Sequence, residues 1–193
     1  MRNSTRIAGC MFACCLLCCS FTMARAQAAA PAKPAVGTPM APAQVYGKLL
    51  SGVEKEFVDL VEAMPEEKFN FAPAATLGEF KGVRTFADQV KHVTQANEFF
   101  FHDPTKPMTD NRSDVEKLKS KAEIVKALKD SLAQAHAYTD AITPENAFVM
   151  TANGTRGGMA AMGIAHMMDR YGQLVEYLRM NGIVPPASRG GGM

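Results

Sequence analysis

The stretch PAQVYGKLLSGVEKEFVDLVEAMP, residues 42 to 65, decides the fold class. Val45, Leu49, Val53, Phe57, Leu60 and Met64 recur at steps of four, four, four, three and four, which traces one face of a helix. Lys48, Lys55, Glu56, Asp59 and Glu62 fall on the other faces. Pro65 ends the run, because proline disfavours helical geometry in the residue before it. Such a helix buries its stripe only against partners, and the chain supplies three more.

The second helical stretch opens at Thr85, a good cap with Asp88 three residues on, and continues through Phe86, Val90, Val93 and Phe100 until Asp103-Pro104 stops it. The third is announced by Ser120-Lys121-Ala122-Glu123, in which serine and glutamate satisfy each other's free amides. Ile124, Leu128, Leu132, Ala135 and Ile142 form its stripe, and Thr143-Pro144 closes it. The fourth runs from about Thr155 to Met180, with Asn181-Gly182 placed for a left-handed cap and Val184-Pro185-Pro186 forbidding continuation. No convincing strand pattern intervenes. Four amphipathic helices predict an all-α four-helix bundle. Asp103 to Lys119 is far longer than the roughly 2–8 residues that join antiparallel neighbours, so a crossover between the second and third helices is expected.

Outside the helices the chain changes character. Met1 to Arg6 carries two arginines and no acid, Ile7 to Met23 is nearly free of polar side chains, and Ala24-Arg25-Ala26 follows. That order predicts a signal peptide over residues 1–26, cleavage after Ala26, and a periplasmic or secreted product. Contact with a membrane would come only through an uncleaved signal. Ile7-Ala8-Gly9-Cys10 precedes the apolar core instead of closing it, so no lipid is expected. Residues 27–43 form an Ala/Pro-rich linker with Pro31, Pro34, Pro39 and Pro42, the bundle occupies 44–186, and a flexible glycine-rich tail follows over 187–193.

Cleavage would remove Cys10, Cys14, Cys15, Cys18 and Cys19, all five cysteines of the chain. The mature product then has no disulfide, thiolate site or cysteine nucleophile, and its 167 residues suffice for one domain held by its core. Loss of Arg2, Arg6 and Arg25 leaves 18 basic against 19 acidic side chains. Without a basic run, nucleic acid is a poor partner.

Three phrases, AMPEEKFNFAP (63–73), GEFKGVRTFADQVKHV (78–93) and RYGQLVEYLRMNGIVPPAS (170–188), resemble the DinB-like superfamily of four-helix bundles, many of which bind a divalent metal. The similarity spans about Ala41 to Ser188. It implies a site of three histidines, one on the second helix and a His-x-x-x-His pair on the fourth. His92 matches the first and His166 the second, but the third position is Arg170. A guanidinium has no lone pair to donate and brings a positive charge toward a dication. A nickel, zinc or iron ion is therefore expected to be held weakly, if at all. Asp169 is a weak alternative ligand, three residues from His166, for which a local salt bridge is the blander role.

Other candidates carry less. His102 lies ten residues after His92, about 15 Å along a helix, too far to share an ion. His136, between Ala135 and Ala137, reads as a residue at the core's edge. Met159, Met162 and His166 make a soft-ligand stripe that would suit cuprous ion, although methionine at helical spacing is more often core filler. Gly154, Gly157 and Gly158 lack the lysine and preceding strand of a phosphate cradle. Three functions compete. One is a bundle that kept a polar pocket, with Arg170 paired to an acid of a neighbouring helix or binding an anionic small molecule. The second is a metal-dependent hydrolase or transferase using His92 and His166. The third is a tethered module for a protein partner, with a homodimer left open.

Overall fold

The structure, a computed structural model, describes residues 33–108, 110 and 112–190. The expected signal peptide, residues 27–32 of the linker and residues 191–193 of the tail lie outside the described residues. The chain divides into a unit ending at Thr38 and a second from Pro39 onward. In the first, the Thr38 amide donates to Ala35 O at 3.1 Å and closes a turn.

The second unit is built from α1 (Pro42–Ala63), α2 (Phe86–Phe100), α3 (Arg112–Lys117), α4 (Lys121–Asp140) and α5 (Arg156–Met180). Thr85 Oγ1 accepts the Asp88 amide at 3.1 Å and starts α2. Ser120 and Glu123 exchange hydrogen bonds at 3.2 and 3.0 Å at the start of α4, as their spacing predicts. Met64 is extended before Pro65, and α1 stops there. At the end of α5, Gly182 takes φ 71°, its amide donates to Arg179 O, and that of Ile183 reaches Leu178 O at 3.0 Å. This is the paired closure that glycine permits at a left-handed position.

Side-chain partners fix the topology. Glu62 meets Lys129 and Glu54 meets His136, so α1 and α4 run antiparallel. Asn97 bonds Ser131 and Phe101 packs on Tyr138, so α2 and α4 run parallel. Gln89 bonds Gln173 and His92 packs on His166, so α5 runs antiparallel to α2. The order is up, down, down, up, with α2 and α4 neighbours. Parallel neighbours need a connection that returns the length of the bundle, and the expected crossover between the second and third long helices is what joins them. It carries α3, which the sequence did not reveal. Arg112 O and Glu116 O accept from Gln95 and Lys91 of α2, and Val115 is buried. Six residues with one buried apolar side chain leave no period to read.

The expected stripes of α2 and α4 are buried or packed on the core, but that of α1 needs correction. Val45 and Leu49 are 42% and 52% exposed, while Leu50 is fully buried and Tyr46 packs on the core. A helix turns about 100° per residue, so repeated steps of four drift. Counting back from Phe57, Val45 lies about 120° off the stripe, whereas Tyr46 and Leu50 lie within about 20°. The expectation of no strand is also corrected. Met150 pairs with Thr155 and Thr151 with Gly154 in a two-stranded hairpin, β1 (Met150–Thr151) and β2 (Gly154–Thr155). Strands this short show no alternation. Among the described residues no helix is long and apolar enough to cross a membrane.

Candidate functional site

The segment 65–71 prepares the start of α2. Phe71 O and Phe69 O each accept a backbone amide, from Phe86 and Ala87, at 2.8 Å. These carbonyls satisfy donors that have no partner inside the helix. With the start fixed, His92 falls on the side of α2 that meets α5. On α5, Gly163 sets the approach. A Cβ there would lie 2.6 Å from Phe101 Cζ and 2.9 Å from Phe100 Cβ, so only glycine admits this closeness. His166 follows by three residues, and the His92 and His166 rings meet edge to face with centroids 5.0 Å apart.

Both imidazoles are half-buried and both are made less basic than usual. Burial is the first cause for His92, followed by the charge of Arg84, and it stands at about 4. His166 is lowered by burial and then by Arg170, with Asp169 acting in the opposite sense. The pair is therefore neutral at pH 7. Nε2 of His166 is buried and makes no hydrogen bond among the described residues.

Arg170 reaches this site through its charge but, among the described residues, takes no partner from another helix. Its side chain is 22% exposed, its Nε lies 3.4 Å from Asp169 Oδ2, and that buried nitrogen lacks hydrogen-bond geometry. Nη1 donates weakly to Gln173 Oε1 at 3.4 Å. Asp169 is 60% exposed and engages Arg170 and Gln173 on its own helix, consistent with the local salt bridge read from sequence.

Two cavities share Arg84, and the imidazole pair lines only the larger. One of about 830 Å³ is lined by Arg84, His92, His166, Ala96, Phe99 and Phe100, among others. The second, about 730 Å³, is lined by Arg84, Gln89, Arg170, Gln173 and Tyr177. Arg84 belongs to both, is exposed, and its guanidinium has no hydrogen bond or ion pair among the described residues. Tyr177 Oη donates to Arg84 O at 3.1 Å and holds that backbone in place. Arg84, Gln89 and Gln173 were not singled out in the sequence. Gln89 precedes His92 by three residues and Gln173 follows His166 by seven, so both had the spacing of the site's face. Arg84 lies just outside a helix, where no period could reveal it.

The donor set does not fit the metal that the resemblance implies. Two imidazoles converge, but the charges of Arg84 and Arg170 act on both, and Arg170 holds the position that the resemblance gives to the third ligand. Among the described residues no cluster of three or more histidine, cysteine, aspartate or glutamate side chains could hold an ion. The remaining candidates stand apart. His102 Nε2 lies 2.8 Å from Lys106 O, and His136 Nε2 lies 2.5 Å from Glu54 Oε2. Met159 is buried while Met162 is 58% exposed, so the soft-ligand stripe is split. The amides of Gly157 and Gly158 are consumed by Ala147 O at 2.7 Å and Thr155 Oγ1 at 3.1 Å, which leaves neither for a phosphate.

The model of the DinB superfamily matches residues 49–174, about two thirds of the chain. No curated protein matches it.

Proposed function

The chain belongs to the DinB superfamily, and we propose that it is an exported, non-catalytic member whose pocket between α2 and α5 binds a small anionic ligand in place of a metal ion. The observation that carries this reading is Arg170. It stands at the third ligand position, its side chain 22% exposed, with no acid from a neighbouring helix beside it among the described residues. A buried guanidinium without a full set of acceptors is costly, and an anion supplies them in bidentate form. Arg84, unpaired among the described residues and lining both cavities, adds a second charge of the same sign. The neutral imidazoles offer N–H donors without repelling either arginine.

The metal-dependent hydrolase or transferase remains the competing reading, since His92 and His166 do converge. Calorimetric titration with chelator present decides between them. Inorganic phosphate and simple carboxylates are expected to bind the wild-type protein, and Arg170→Gln to weaken them about tenfold, the worth of one charged hydrogen bond. Tight zinc binding by the wild type without chelator, at one ion per chain, overturns the proposal.

A further inference from the structure

We infer that the ligand is an arylalkyl carboxylate, its anionic head held by Arg84 beside the histidine pair and its ring laid against Phe100 and Phe99. This rests on the anion-binding reading above, but takes Arg84, which lines both cavities, as the partner of the head in place of Arg170, which lines only the smaller.

The larger cavity is not a plain anion hole. Rings follow one another along its wall: His92 to His166 at 5.0 Å, His166 to Phe100 at 5.5 Å, and Phe100 to Phe99 at 5.3 Å. Two of these contacts are edge to face at the spacing aromatic pairs prefer, and the Phe100–His166 pair is tilted at 44°. The rings run from Arg84 and the imidazoles toward an apolar wall of Ala96, Phe99 and Met108, and Glu98 and the Asp110–Arg112 ion pair also line the cavity. Phe99 is 44% exposed and Met108 is 50% exposed. A single exposed phenylalanine is ordinary. Here Phe99 and Met108 line the cavity that His166 also lines, and the buried Nε2 of His166 makes no hydrogen bond among the described residues.

The volume agrees with this division. About 830 Å³ lies within the range of roughly 300–1,000 Å³ found for small-molecule sites and far exceeds the needs of acetate or phosphate. An anion alone would satisfy Arg84 and leave the aromatic wall in water. A neutral ring would cover the wall and leave the cation unpaired. An arylalkyl carboxylate does both. Its carboxylate accepts from the guanidinium and from an imidazole N–H, and its ring extends the row by one more edge-to-face contact.

The test is calorimetry on the full chain with chelator present, using 3-phenylpropionate, acetate, 3-phenylpropanol and octanoate. The expected result is 3-phenylpropionate binding at least about tenfold tighter than each of the other three. Phe99→Ala, chosen because the side chain is part-exposed and its loss leaves the core intact, should weaken 3-phenylpropionate about threefold or more and leave acetate unchanged. Arg84→Gln should weaken both acids and leave the alcohol unchanged. If acetate binds as tightly as 3-phenylpropionate, the aryl assignment fails while the anion-binding reading stands. Equal binding of octanoate overturns recognition of a ring. If no acid binds at all, the anion-binding reading fails and takes this inference with it. Self-association that Phe99→Ala abolishes would assign the apolar wall to a second copy of the chain and overturn the inference.

Discussion

Arg170 stands one turn beyond His166 on α5, so restoring a histidine there recreates the i, i+4 pair and removes the opposing charge together. Arg170→His is expected to raise zinc occupancy from well below one toward one ion per chain. His92→Ala in that background should abolish the gain. Zinc titration of the three proteins checks both, and failure of Arg170→His to bind would mean that the three positions do not converge. The imidazoles also make a pH prediction. His92 is lowered from the ordinary 6.5 to about 4, chiefly by burial, so the unfolded chain takes up this proton first. Its contribution to stability is whole above about pH 6.5 and is lost as pH falls toward about 4. His166 is shifted in the same direction. Urea midpoints measured with chelator should fall through this window, and His92→Gln should flatten the fall.

Within α1 the two faces of the helix give opposite forecasts for adjacent leucines. Leu50 is fully buried against the other helices, and Leu49 is 52% exposed. Leu50→Ala removes a core side chain and leaves a cavity, at a cost of about 2–5 kcal/mol. Leu49→Ala should stay within about 0.5 kcal/mol of the wild type. Denaturant unfolding of both variants would tell the observed face from the one that steps of four suggest. The element also shows why that face was misjudged. Val45 and Leu49 are as apolar as the residues beside them, and apolar character alone does not say which side has a partner.

For the molecule as a whole, the bundle's core spans all four long helices and is built without cysteine, since every cysteine precedes Ala26. The export proposal then has a direct reading. Intact mass of the protein recovered from the periplasm or medium should begin at Gln27 with no lipid, and its melting temperature should not respond to reductant. A full-length species in the membrane fraction would overturn cleavage. The parallel setting of α2 and α4 requires the chain to climb back along the bundle before Ser120. That path brings Met108, Asp110 and Arg112 into the lining of the larger cavity, so the crossover that closes the topology also shapes the pocket.

The sequence by itself determined the elements with local causes. Thr85 and Ser120 start helices through their own hydroxyls, Pro65 and Gly182 end them through their own backbone preferences, and the periods of α2 and α4 mark their inner faces. It also placed His92 and His166 on helices that meet, and marked Arg170 as the residue that departs from the family's site. Only the tertiary structure decided what depends on distant neighbours. Which of Leu49 and Leu50 is buried follows from where α4 and α5 lie. The short α3 exists because α2 supplies Lys91 and Gln95 to its carbonyls. Arg84 joins the site because Tyr177, far along the chain, holds its backbone beside α5. The row of four rings is assembled from two helices whose separation Gly163 alone permits. Local signals act over one or two helical turns, whereas a pocket is a relation between surfaces that meet only after the chain has folded.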